Sequence, residues 1–158
     1  MAMANKKNGI VLSTSNKSES AVGYSTLYGD MVGAYAPIKD VPKTLIYKIS
    51  EFINLTDNII PERIINRPPS AELKPDQTDQ DSLPTYEELD KIIELFIDEG
   101  QSTDEIVSLG FKSQTVKKIV KLILRSEFKR RQSPPGPKIT RKAFGRERRF
   151  PITNNYLG

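Results

Sequence analysis

A chain of 158 residues has room for one domain with a single core of ordinary size. It is mildly basic, at +4, and contains no histidine, cysteine or tryptophan. A disulfide, a thiolate metal site, a cysteine nucleophile and an imidazole base are therefore excluded, and any chemistry falls to carboxylates, lysines, hydroxyls or a bound metal ion.

Met1 to Lys7 reads as the last turn or two of a helix stopped by Asn8-Gly9. This stretch is basic but has no apolar signal-peptide centre. No run anywhere reaches the roughly 18 to 20 apolar residues that span a bilayer, so the cytoplasm is the expected location. Ile10-Val11-Leu12 then passes into Ser13-Thr14-Ser15-Asn16. An apolar run ending in small polar residues reads as a buried strand that stops at a site, because ligands sit beyond the carboxyl ends of strands in open α/β sheets. No second convincing strand follows. Ile10–Ser13 is therefore expected to join a sheet whose other strands lie mostly outside these residues, since a lone strand leaves its backbone groups unpaired.

Asn16 or Ser15 is expected to cap a helix with Lys17 and Glu19 in its first turn. Gly29-Asp30 and Gly33 loosen the backbone. Pro42 opens a helix to Leu55 with Leu45, Ile46, Ile49, Phe52 and Ile53 on one stripe. Lys43 sits at the start of that helix, a position that prefers anions. It fits either a helix start facing phosphate or a solvated lysine. A short helix covers Glu62 to Ile65, and Arg67 to Pro84 is polar loop. Pro84 opens another helix to about Glu99, with Tyr86, Leu89, Ile92, Ile93 and Phe96 inward and Gly100 as its stop. Ser102-Thr103-Asp104-Glu105 is a capping box for a short helix closing at Gly110. Ser113 is expected to cap a third helix built on Val116, Ile119, Val120 and Ile123. From Lys129 onward the chain is basic and punctuated by proline and glycine.

Several of these stretches, in this order, resemble one family. Ser13-Thr14-Ser15-Asn16-Lys17-Ser18-Glu19, Tyr28-Gly29-Asp30 and Pro37-Ile38-Lys39-Asp40-Val41-Pro42-Lys43 are similar to the synthetase domain of NAD synthetases, best to its glutamine-dependent bacterial class. The likeness continues through Arg67-Pro68-Pro69-Ser70-Ala71-Glu72-Leu73, Asp76-Gln77-Thr78-Asp79-Gln80-Asp81, Lys129-Arg130-Arg131-Gln132 and Phe144-Gly145-Arg146. It implies an α/β class: an incomplete Rossmann-like fold of the adenine nucleotide alpha hydrolase type (a PP-loop synthetase), mostly helical here with one or two strands. Residues 1–132 are expected to be the carboxyl-terminal portion of that synthetase domain, and residues 133–158 its extended basic tail.

The resemblance also implies a site. Thr14, Lys43 and Ser70 fall on residues that contact ATP. Glu19 falls on a glutamate that contacts both Mg²⁺ and substrate. Tyr24, Ser25, Thr26 and Leu27 lie on the segment lining the deamido-NAD pocket, and Lys129 matches a lysine placed on the same dinucleotide. Read from the residues alone, each has an ordinary alternative: a capping glutamate, a strand-end hydroxyl, half-buried helix, a turn serine, a solvated basic face. Asp30 reads as a turn former with some weight as a substrate contact. Asp76, Asp79 and Asp81 lack the glycine and terminal glutamate of an EF-hand loop and read as a mobile acidic loop. No residue is assigned a covalent or acid–base catalytic role.

The implied reaction adenylates the nicotinate carboxylate of deamido-NAD with ATP and Mg²⁺, releases pyrophosphate, and lets ammonia displace AMP to give NAD. In the full-length enzyme that ammonia is channelled from a glutaminase domain, and the enzyme is expected to be a homo-oligomer. Neither the family's Ser-Gly-Gly-x-Asp-Ser pyrophosphate loop nor its cysteine amidase has a counterpart in these residues. The expectation is a part of a longer synthetase, inactive alone. Two other readings stay open. Ser102 to Arg125, with Leu109-Gly110-Phe111 as a turn and Lys117, Lys118, Lys121 and Arg125 on the second helix, has the outline of a nucleic-acid-binding helix-turn-helix. The chain also fits a non-catalytic remnant that only dimerises.

Overall fold

The structure is a computed structural model that describes residues 1–70 and 78–153. The elements are helices α1 Ala2–Lys6, α2 Lys17–Val22, α3 Lys43–Thr56, α4 Glu62–Asn66, α5 Tyr86–Ile93, α6 Thr103–Ser108, α7 Ser113–Arg125 and α8 Glu127–Arg130. Asp79–Asp81 forms a 3₁₀ turn, and α5 runs on as a π turn over Glu94–Glu99 that ends at Gly100 in the left-handed conformation (φ 79°). This wide turn places Leu95, Ile97 and Asp98 all in the interior.

The core forms where α2, α5, the π turn, α6 and α7 meet. Leu89, Ile92, Ile97, Ile106, Val116, Ile119 and Ile123 are each at most 1% exposed. The 3.6-residue spacing of Val116, Ile119, Val120 and Ile123 buries one face of α7 and leaves Lys117, Lys118, Lys121 and Arg125 outside. Ser102 and Glu105 cap α6 reciprocally, as their spacing predicts. Ser113, by contrast, does not cap α7; it is the first helical residue, and the cap position is Lys112 with no side-chain bond.

One further expectation needs correction. Ile10–Ser13 is not a buried strand: Ile10 is 68% and Leu12 53% exposed, and no strand forms among the described residues. What exists is one parallel bridge, Leu12 to Tyr35, with the Ser13 N–H donating to the Tyr35 carbonyl at 2.8 Å and the Ala34 N–H to the Val11 carbonyl at 2.9 Å. The partner segment, 34–36, has no strand pattern of its own, and Gly33 permits the approach because a Cβ there would meet the Val11 carbonyl at 3.0 Å. Helix α3 forms over nearly the expected residues. Its apolar stripe exists, yet the helix buries none of its residues, and Phe52 is 71% exposed.

The tail folds back onto the start of the chain. The Ala36 N–H donates to the Pro135 carbonyl at 2.9 Å. Asp40 accepts the N–H groups of Ile139 (2.8 Å) and Thr140 (2.7 Å). Lys17, 1% exposed, donates to Asp98 at 2.8 Å and to the Thr140 hydroxyl at 2.6 Å, with Asp40 at 3.7 Å. Gly136 passes so close to the Ala36 carbonyl that no side chain fits. Among the described residues no helix is long and apolar enough to cross a membrane.

Candidate nucleotide site

Helix α2 begins at a reciprocal cap: the Asn16 side chain accepts the Glu19 N–H at 2.9 Å and Glu19 Oε2 accepts the Asn16 N–H at 3.2 Å. That cap fixes the Glu19 side chain, so the sequence's two readings of Glu19 are compatible. Its other oxygen, Oε1, pairs with Lys43 Nζ at 3.2 Å, both side chains about one-fifth exposed. Lys43 is held at the start of α3 because its N–H donates to the Ser18 hydroxyl at 2.9 Å. Its ammonium lies 5.6 Å from the Tyr86 ring centre and 5.9 Å from that of Tyr47.

Glu19, Lys43 and Ser70 line one cavity of about 330 Å³, with Tyr47, Ile64 and Asp79 among the other wall residues. Three positions from three separate stretches thus meet. Thr14 is exposed and is not among the lining residues. With no buried strand beneath it, nothing turns its hydroxyl toward the cavity.

A larger cleft, about 810 Å³, opens between α3 and α5. Its lining sets Glu51, Glu87, Asp90, Glu94, Asp98 and Glu99 against Lys17, Lys48, Lys91 and Arg141, a net negative wall that suits a triphosphate poorly. Two of these carboxylates are satisfied: Asp90 by Ser18 and by Thr44 (N–H 2.9 Å, hydroxyl 2.8 Å), Asp98 by Lys17 and the Lys142 N–H (2.7 Å). The smaller cavity is the better anion site.

At the carboxyl end of α2, Lys129 Nζ donates to the carbonyls of Gly23 (2.7 Å) and Ser25 (2.8 Å). It therefore fixes the 24–27 segment instead of projecting a free charge. Gly23 closes α2 at φ 70° against Ser126, where a Cβ would clash. Asp30 Oδ1 accepts the Thr26 N–H at 2.6 Å, a turn contact. Of the basic cluster, Arg130 is buried: it bonds the Ala21 and Ile123 carbonyls at 2.7 Å each, pairs with Glu127 at 3.1 Å and stacks on Phe144 at 4.6 Å. Burial lowers its pKa, opposed by Glu127.

A family model described as NAD synthase matches residues 1–133. The chain belongs to the NAD synthase family. It is 52% identical over its whole length to the glutamine-dependent NAD(+) synthetase of Xanthomonas campestris, covering 29% of that protein. It is 54% identical over 98% of its length to the enzyme of the same name from Aquifex aeolicus, covering 27% of it. A crystal structure of a glutamine-dependent NAD(+) synthetase from Cytophaga hutchinsonii superposes with a TM-score of 0.78 at 26% identity, covering 98% of this chain and 26% of that one. The chain thus spans less than a third of the length of these relatives. The likeness extends over α6 and α7, so the helix-turn-helix outline there is an ordinary helical pair of an NAD synthase-family fold and the nucleic-acid reading is not favoured.

Sequence reasoning missed Asp79. It is no mobile acid: it is 4% exposed and accepts the Tyr86 hydroxyl at 2.6 Å. Burial, then Asp79, then the more distant Glu19 push the Tyr86 phenol far above its ordinary value. The one available signal was Tyr86 itself, an inward tyrosine whose hydroxyl needs an acceptor. Asp81 caps the turn at Thr78 (2.8 Å), while Asp76 lies outside the described residues, as do Ala71, Glu72, Leu73 and Gln77 of the family-like stretches.

Proposed function

We propose that this chain provides part of the ammonia-ligase site of a glutamine-dependent NAD⁺ synthetase, in which ATP adenylates the nicotinate carboxylate of deamido-NAD and ammonia then displaces AMP to give NAD. The carrying observation is that Glu19, Lys43 and Ser70 line one cavity. Lys43 supplies a positive charge for a phosphate group, and the start of α3 beneath it adds the positive end of a helix dipole. Ser70 supplies a hydroxyl on the same wall. Glu19 offers carboxylate oxygen, the donor a hard divalent ion takes, with Lys43 as the counter-ion it would exchange. When bound, Mg²⁺ would neutralise charge on the triphosphate.

Lys129 acts one step back from the dinucleotide: by gripping the Gly23 and Ser25 carbonyls it sets the shape of Tyr24, Ser25, Thr26 and Leu27. Thr14 is kept as an ATP contact only through the family likeness. The absence of histidine is no obstacle, because the chemistry requires charge neutralisation more than proton transfer. This reading carries with it a cytoplasmic location, ammonia from a glutaminase domain, and a homo-oligomeric full-length enzyme.

Equilibrium dialysis of the 158-residue chain against ATP and Mg²⁺ tests the assignment. Retention of ATP is expected, and Lys43→Ala should lower affinity about 10-fold or more, the loss of one charge-assisted contact. No retention by the folded wild-type chain would sink it.

A further inference from the structure

Helix α3 cannot cap its own start. Pro42 stands at the cap position and has no side-chain oxygen, so the first N–H groups of the helix must find acceptors elsewhere. The Pro42 carbonyl takes those of Leu45 at 3.0 Å and Ile46 at 3.1 Å. The two that remain go to other helices. The Lys43 N–H donates to the Ser18 hydroxyl of α2 at 2.9 Å. The Thr44 N–H donates to Asp90 Oδ2 of α5 at 2.9 Å, and the Thr44 hydroxyl to the same oxygen at 2.8 Å. Asp90 Oδ1 accepts the Ser18 hydroxyl.

One carboxylate therefore ties down the start of α3, and its chemistry sets the direction of each bond. A carboxylate only accepts, so Ser18 gives its hydroxyl proton to Asp90 and turns a lone pair to the Lys43 N–H. Ser18 is 0% exposed, so bulk water does not compete for that arrangement. Ser18 and Glu19, neighbours on α2, hold Lys43 at its two ends: Ser18 at the N–H, Glu19 at the ammonium, 3.2 Å from Oε1. Helix α3 buries none of its residues, so an interior apolar face does not fix its position. Asp90 lies on the wall of the larger cleft and is not among the residues lining the cavity of Glu19, Lys43 and Ser70.

We propose that Asp90 is a positioning residue for that cavity: through Ser18 and the start of α3 it sets where the Lys43 ammonium meets a phosphate group. This rests on the ligase reading of the cavity.

A double-mutant cycle on the 158-residue chain, read by equilibrium dialysis against ATP and Mg²⁺, tests it. The amide of Asp90→Asn can accept at one atom only, so it cannot serve both Ser18 and Thr44. It should lower ATP affinity by about three- to tenfold in the wild-type background. Lys43→Ala keeps the main-chain N–H and loses the ammonium, so in that background Asp90→Asn should change affinity by less than about twofold. An equal loss in both backgrounds, or no loss in the wild-type background, would overturn the proposal. Ser18→Ala breaks the relay one bond nearer Lys43 and should follow the same pattern. It replaces Asp90→Asn if circular dichroism shows that variant to be unfolded.

A measurement without nucleotide separates the two readings. With its N–H released, Lys43 should leave Glu19 more often. Acylation by acetic anhydride, followed by peptide mass spectrometry, should then label Lys43 severalfold faster in Asp90→Asn, with the exposed Lys48 of the same helix as an unchanged reference. Faster labelling of Lys43 with no ATP retained by the wild-type chain removes the ligase reading and leaves Asp90 as the residue that places Lys43. ATP retained with unaltered labelling of Lys43 removes the role of Asp90 and leaves the ligase reading.

Discussion

Lys17 shows how a single residue can read one way in a sequence and act another way in a fold. At the start of a capped helix it looks like a surface cation, but it is buried and tied to Asp98, Thr140 and Asp40. Lys17→Met should cost about 3–5 kcal/mol, because it strands two buried carboxylates; urea denaturation at neutral pH measures this directly. A loss under about 1 kcal/mol, the range of an exposed pair, would refute the network. Tyr86 gives a pH signature. Its phenol is raised above the ordinary 10.0 in the folded state by burial and by Asp79, so folding favours the protonated form. Its contribution to stability is complete below pH 10 and is lost as the pH climbs above that value. In an ultraviolet titration Tyr86 should stay silent well above its ordinary value of 10.0. A Tyr86→Phe variant with an unaltered alkaline melting curve would contradict this.

Among the helices, α3 and α7 make a useful pair. Both have a clear apolar stripe, and sequence periodicity treats them alike. In the fold α7 buries Ile119 completely, and α3 buries nothing. Ile119→Ala should destabilise by about 2–5 kcal/mol, the cost of an interior cavity. Phe52→Ser should stay within about 0.5 kcal/mol in this chain. Thermal melts of the two variants should therefore separate widely; equal shifts would mean that the outer face of α3 is covered in solution.

For the molecule as a whole, the decisive feature is the return of the tail. Residues 139–142 close the buried cluster of Lys17, Asp40 and Asp98. Truncation after Gln132 removes those partners, along with Phe144 and Phe150 over Arg130. The shortened chain should melt several degrees lower, as expected for a loss of a few kcal/mol in a domain of this size. Circular dichroism would show it, and an unchanged melt would mean that the tail adds nothing to the fold.

The order of helices, the caps at Asn16 and Ser102, and the stops at Gly100 and Gly110 could be read from the residues, because each is local to a turn or two of chain. The family could be read too, and with it Glu19, Lys43 and Ser70. Tertiary structure alone decided that those three share a cavity, that Thr14 stays outside it, that Ile10–Ser13 is an exposed bridge, and that Lys129 grips main chain. Those are contacts between distant residues, where burial and the reach of a charged side chain have no sequence period to announce them. Asp79 is the clearest instance: nothing in the sequence of its polar loop sets it apart, and packing buries it against the Tyr86 hydroxyl.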